Sequence, residues 1–269
     1  WQVEWDPHCQ QTLAHHWPDV PRWGDVSDVN GEDLPPVDVI TFGSPCQDLS
    51  VAGKRAGLEG SRSNLFFQAT RIIREMQNAT GGTFPRYAIW ENVVGALNSR
   101  NGDDFEAVLK EMADLGSHHL EWAVLDAQFF GVPQRRRRVF VIACLDSSKT
   151  GRNRKQILSV GESPIRNKST DDYTTFYTSH GRQDRFIKGI STTLKTAGTT
   201  CIAAPSISPR KFTPIESERL MGWPDNHTLN RADGKTNSDT TRYKMCGNGV
   251  ASPVAQWIAE QINEFERGL

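Results

Sequence analysis

The chain contains no apolar run approaching the ~18 residues of a spanning helix, and no charged stretch followed by an apolar one opens it. Membrane-spanning and secreted readings are therefore not expected. Cysteine is sparse: five residues, odd in number, scattered, with no Cys-x-x-Cys pair. That excludes a disulfide framework and a zinc knuckle, predicts no metal site, and suits a reducing, cytoplasmic setting. There is no internal repeat and no low-complexity tract. There is also no excess of charge, with 31 Lys and Arg against 32 Asp and Glu.

What is present is an ordinary globular composition. Adding 22 Gly to the 37% hydrophobic fraction gives about 45%, inside the usual range of ~45–50%. A chain of 269 residues suggests one large domain or two unequal ones. At that size roughly 70–75% of the unfolded surface can be buried, so no staples are needed.

The balanced charge hides a split. Residues Gly151–Pro209 carry nine Lys and Arg against four Asp and Glu, whereas the remainder carries 22 against 28. A segregated phosphate-binding face would produce that asymmetry, and so would a solvated basic loop region.

The first 145 residues alternate short apolar runs with helical patterns, which predicts βαβ units and a parallel sheet. Val37–Gly43, Tyr87–Trp90, Leu120–Asp126 and Arg138–Leu145 read as strands. Leu65–Met76 and Phe105–Leu115 read as helices, the second with Gly116 in the C′ position. The short connection Ala127–Arg137 predicts an antiparallel pair at the sheet edge. Ser147–Pro209 reads as a small, loop-rich, mostly β insertion. Pro214–Met221 then reads as a short helix, and Val250–Phe265 as an amphipathic terminal one. Three parts follow: a catalytic portion over 1–146, a small domain with its hinge over 147–240, and a return over 241–269.

Three segments carry chemistry. Gly43-Ser44-Pro45-Cys46-Gln47 follows a strand directly, and ligands of open parallel sheets bind beyond the carboxyl ends of the strands. A nucleophilic Cys fits there, although most lone Cys are small buried hydrophobes. Glu91-Asn92 follows the apolar run Tyr87–Trp90. A carboxylate there is exposed, paired, or set with a raised pKa to donate a proton. Gln134 and four Arg, 135–138, lead into an apolar strand, so alternation sends Gln134, Arg136 and Arg138 to one face.

These blocks, followed by RKFTPIESERLMGWPD and YKMCGNGVASPVAQWIAEQI, strongly resemble the DNA (cytosine-5)-methyltransferase family of bacterial and phage type. The resemblance runs over nearly the whole chain outside Ser147–Pro209. It implies a doubly wound, Rossmann-like α/β sheet with an inserted small target-recognition domain. It also implies methyl transfer from S-adenosylmethionine to carbon 5 of cytosine in double-stranded DNA, with the base flipped out of the duplex.

Carried over residue by residue, the family's Pro-Cys nucleophile is Cys46, and Glu91 contacts ring nitrogen 3. Arg138 contacts the ring oxygen at position 2, with Arg136 beside it in the catalytic set. Glu4 accepts from the ribose hydroxyls, Trp5 packs on adenine, and Asp25 takes the adenine amino group, with Val26 next to it. Pro45 and Leu65 line the cofactor side, and Asn248 and Val250 close the methionine end. Gln47 and Ser50 on the loop after the nucleophile are expected at DNA, as are Arg182 and Lys195 in the insertion. Ser179–Arg185 and Thr192–Thr199 are the expected reading segments. A cognate restriction endonuclease and a monomeric state are the expected company.

One departure is visible. The family opens with a strand and a Phe-x-Gly-x-Gly loop some thirty residues before the Glu-Trp-Asp block, and this sequence starts at Trp1. Because that strand is central in the fold, its neighbours are expected to lack a partner. Two rival readings follow from the resemblance: a tRNA cytosine-5 methyltransferase, since one branch of the family uses the same catalytic blocks on RNA, and an inactive DNA-binding remnant, since the first cofactor loop is absent.

Overall fold

A computed structural model describes residues 1–44, 65–149, 156–158, 174–179, 182–188, 191–192, 199–204 and 207–268. Strand β1 (Gln2–Val3) leads into helix α1 (Pro7–His16), and β2 (Arg22–Trp23) pairs with β1 in parallel. Next come β3 (Val39–Gly43), α2 (Leu65–Ala79), β4 (Tyr87–Val93), α3 (Asp103–Ala113) and β5 (His119–Asp126). The short β6 (Gln134–Arg135) precedes β7 (Arg137–Cys144). The insertion supplies β8 (Thr174–Ser179), β9 (Arg182–Lys188), β10 (Ser191–Thr192), β11 (Thr199–Ala204) and β12 (Ile207–Lys211). The chain then forms α4 (Pro214–Leu220), α5 (Asp239–Asn248) and α6 (Ser252–Arg267).

The central sheet runs β3-β4-β7-β5, with β3 and β4 parallel and β7 antiparallel to both β4 and β5. The expected antiparallel pair therefore lies at the sheet edge. Alternation along the strands splits the core into two layers. Tyr87, Ile89, Phe140 and Ile142 face Val254, Ile258 and Ile262 of α6. Ala88, Trp90, Val139 and Val141 face α2 and α3 through Phe66, Ile73, Met76, Val108 and Met112. Helices thus cover both faces, which is why β7 reads as an unbroken apolar run.

Several boundaries shift by a few residues. Strand β4 continues through Val93, so Glu91 lies within the strand and not after it. Helix α3 starts earlier than expected, at Asp103, and gathers Asp103, Asp104 and Glu106 in its first turn, where carboxylates are stabilised by the positive end of the helix dipole. Its cap is Asp114, so Gly116, with φ of 85°, lies one position beyond the expected C′ site.

Among the described residues β3 pairs only with β4, and β1 and β2 pair only with each other. The insertion forms an antiparallel sheet in the order β12-β11-β8-β9, so it is more regular than the composition suggests. Strand β10 pairs in parallel with β6, setting Ser191 opposite Gln134 and Thr192 opposite Arg135. Phe212, Leu220 and Met221, in the stretch expected to be small domain and hinge, sit in the core layer under α6.

Candidate active site

The register of β4 and β7 builds the first part of the site. Glu91 stands opposite Phe140 and Val93 opposite Arg138, so Glu91 and Arg138 are diagonal neighbours on one face. Arg138 Nε lies 3.1 Å from Glu91 Oε1, an ion pair without the alignment of a good hydrogen bond. The side chains are only 13% and 19% exposed. Burial pushes the Glu91 carboxyl above its ordinary range, against the opposing pull of Arg138 and Arg136. A carboxyl so held can keep a proton for a ring nitrogen.

The Arg run alternates as its sequence predicts. Gln134 and Arg136 are buried, Arg135 and Arg137 are exposed, and Arg138 is intermediate. Arg136 Nη2 donates to Gly247 O at 3.0 Å and to Gly249 O at 2.6 Å. Its backbone N–H donates to Asp126 Oδ1 at 3.0 Å. Burial, then repulsion from Arg138, brings the Arg136 guanidinium down to about 10. Glu91, Arg136, Arg138, Leu125, Phe140 and Val250 line one concavity at this end of the sheet.

The chain toward the candidate nucleophile leaves β3 beside this pair. Gly43 is in register with Glu91, and a Cβ on Gly43 would lie 3.5 Å from Glu91 Oε2. Ser44 is fixed from β4: Trp90 Nε1 donates to Ser44 Oγ at 3.1 Å and Asn92 Nδ2 to Ser44 O at 2.8 Å. Pro45, Cys46, Gln47, Ser50 and Lys195 lie outside the described residues. Arg182 opens β9, opposite Ser179, so the Arg182–Arg185 part of the expected reading segment runs in a strand and not a loop.

The cofactor candidates gather at strand ends. Glu4 and Trp5 follow β1, and Asp25 and Val26 follow β2, at the carboxyl ends of two parallel strands. Trp5 is 78% exposed, unusual for so large an apolar side chain. Glu4 Oε1 accepts from Asp6 N–H at 2.8 Å, and Asp25 Oδ1 accepts from Ser27 N–H at 2.9 Å. The Ser27 hydroxyl and amide hold the Asp25 carboxyl below its usual range. Two carboxylates able to accept from ribose hydroxyls and an adenine amino group, with an exposed indole to pack on the ring, fit the nucleoside of S-adenosylmethionine. Leu65 opens α2 and is also exposed. Asn248 ends α5, and Val250 follows it into the concavity.

Asp126 escaped the sequence reading. It ends the apolar run Trp122–Leu125, and a carboxylate closing such a run signals a capping role. Here it caps the turn after β5 and also holds Arg136. Trp223 was missed as well, packed on Gly249 where a Cβ would come within 2.4 Å of its ring.

A family model described as C-5 cytosine-specific DNA methylase matches residues 1–182 and 152–264. The chain belongs to that family: it is a cytosine-5 DNA methyltransferase that uses S-adenosylmethionine and binds DNA. It is 28% identical over 298 residues to the Type II methyltransferase M1.ScrFI of Lactococcus lactis subsp. cremoris, covering 97% of this chain and 71% of that one. It is 30% identical over 311 residues to the Type II methyltransferase M.HpaII of Haemophilus parainfluenzae, covering 97% and 82%. Among solved structures, the S. pombe Dnmt2 methyltransferase has a TM-score of 0.65 at 16% identity, covering 99% of this chain and 91% of that one. That likeness supports the Rossmann-like core with an inserted domain.

Proposed function

We propose that Cys46 is the nucleophile of this methyltransferase and that Glu91 and Arg138 form the charge-stabilising half of its base pocket. The observation that carries this is the Glu91–Arg138 pair beside Gly43, with two residues of chain between Gly43 and Cys46. Carbon 5 of cytosine is a poor nucleophile on its own. Addition of the Cys46 thiolate to carbon 6 turns the ring into an enamine-like species that is nucleophilic at carbon 5. Glu91, its carboxyl pushed up by burial, offers a proton toward ring nitrogen 3 as charge develops there. Arg138 contacts the ring oxygen at position 2, with Arg136 adding positive potential, so the fixed charges sit where negative charge grows.

S-adenosylmethionine, when bound, supplies the electrophilic methyl group. Glu4, Trp5, Asp25 and Val26 hold its nucleoside, Pro45 and Leu65 line its pocket, and Asn248 and Val250 close its methionine end. After transfer, loss of the carbon-5 proton lets the ring electrons expel Cys46 as the thiolate.

In the insertion, Lys and Arg contact phosphates, while Arg182 and Lys195 take part in reading the sequence, joined by Gln47 and Ser50 at the flipped cytosine. The target is short, about four to six base pairs, because few side chains of so small an insertion reach base edges. The protein acts as a monomer in the cytoplasm, alongside a restriction endonuclease with the same target; the naming of its relatives as Type II methyltransferases supports that company.

The test is bisulfite sequencing of mixed-sequence duplex DNA after incubation with the protein and S-adenosylmethionine, with tRNA in a parallel arm. Conversion-resistant cytosines should fall in one short duplex sequence, be absent with Cys46→Ala, and be absent from tRNA. Methylation of tRNA alone, or undiminished methylation by the Ala variant, would overturn the reading.

A further inference from the structure

The guanidinium of Arg136 is divided between two places. Nη2 spans the carbonyls of Gly247 and Gly249, at 3.0 and 2.6 Å, on either side of Asn248. Nε and Nη1 are buried with no hydrogen-bond partner among the described residues, and Arg136 lines the same concavity as Glu91 and Arg138. A buried polar nitrogen without a partner is costly, so its retention points to a ligand that supplies an acceptor.

The backbone of Arg136 is pinned as tightly as its side chain. Its N–H donates to Asp126 Oδ1 at 3.0 Å, and its carbonyl accepts from Ala127 N–H at 3.1 Å. The Gly247–Gly249 turn is held on its other side by the Trp223 indole, which leaves no room for a Cβ on Gly249. A change in Arg136 therefore reaches Asn248 and Val250 directly, without a long relay.

We propose that Arg136 is a positioning residue that couples the base pocket to the methyl-donor seat, with Nη2 fixing the Gly247–Gly249 turn while Nε and Nη1 meet the flipped base. The inference rests on the assignment of the concavity as the base pocket. With an acceptor on Nε and Nη1, the guanidinium plane is fixed, and the turn that carries Asn248 is fixed with it. Binding of either ligand then prepares the seat of the other, and linkage requires the effect to be reciprocal. A lysine at this position has one ammonium group and reaches either the turn or the pocket, not both.

The experiment measures the affinity for S-adenosylhomocysteine with and without a duplex carrying the methylated sequence found by bisulfite mapping. The parent protein should show about tenfold tighter binding when the duplex is present, within the usual range of coupled sites. Arg136→Lys should reduce that factor to below about twofold, whatever it does to the affinity for either ligand alone. A parent with no coupling, or a variant that keeps the parental factor, overturns the proposal.

Hydrogen exchange on the parent protein makes the test independent of whether the variant folds. Added duplex alone should slow exchange of peptides containing Gly247–Val250, and unchanged exchange there contradicts the proposal. Loss of all duplex and S-adenosylhomocysteine binding by the parent would instead count against the assignment of the pocket itself.

Discussion

Glu91 and Arg138 are 47 positions apart in sequence and meet at 3.1 Å because the antiparallel register of β4 and β7 makes them diagonal neighbours on one face. That face is the one α6 covers, so both charges are drawn out of water next to an apolar layer. The outcome is a carboxyl biased toward its protonated form beside a fixed cation. Such a pair suits a cytosine ring that gains charge at nitrogen 3 and at its oxygen.

The alternation along the Arg run gives a direct prediction. Arg138→Ala should lower the methylation rate at least ~100-fold, the loss typical of removing one stabilising donor. Arg137→Ala, on the opposite and exposed side, should change it by less than about threefold. Single-turnover rates on duplex DNA check this, and equal mild losses at both positions would favour a merely solvated basic run.

Gly249→Ala tests the packing that holds the Asn248 turn. The backbone is acceptable there, with φ of −72°, so the cost is contact: the new Cβ would lie 2.4 Å from Trp223 Cζ2. Overpacking of this kind should cost ~1–3 kcal/mol of stability in denaturant titration. The same variant should raise KM for S-adenosylmethionine more than KM for duplex DNA. The reverse order would detach this turn from the methyl-donor seat.

His227 predicts a pH dependence of stability. Its ring stacks on His16 with centroids 4.1 Å apart, and burial, then the His16 charge, lower its pKa below the ordinary 6.5. The unfolded chain thus binds a proton more readily than the folded one. The contribution to stability is fully present above the unfolded value and is lost as pH falls through the window down to the folded pKa. Tm measured at about pH 7.5 and about pH 5.5 should therefore fall less for His227→Gln than for the parent. An identical fall would remove His227 as the cause.

Much of this was legible in the sequence because it depends on periodicity. The β-branched run ending at Gly43 and the unbroken apolar Val139–Ala143 marked the sheet, and alternation alone placed Arg136 and Arg138 inward and Arg135 and Arg137 outward. The strand β4 was read too short because Glu91 and Asn92 are polar, yet ladder bonds to β7 carry it to Val93. Strands β1 and β2 have two residues each, too few for any period to show. The grip of Arg136 on Gly247 and Gly249 joins positions 111 and 113 residues away, and no local pattern encodes such a contact. The capping role of Asp126 was visible in principle, whereas its bond to Arg136 depends on the turn that follows.

The most direct measurement is covalent trapping on duplex DNA in which 5-fluorocytosine replaces the target base, with S-adenosylmethionine present. Fluorine at carbon 5 leaves no proton to remove, so the thiolate cannot be expelled once the methyl group has moved. The expected result is a protein–DNA adduct that survives denaturing electrophoresis, with peptide mass spectrometry placing the linkage on Cys46 and no adduct from Cys46→Ala. An adduct on any other residue, or its full persistence in the Ala variant, would contradict the account.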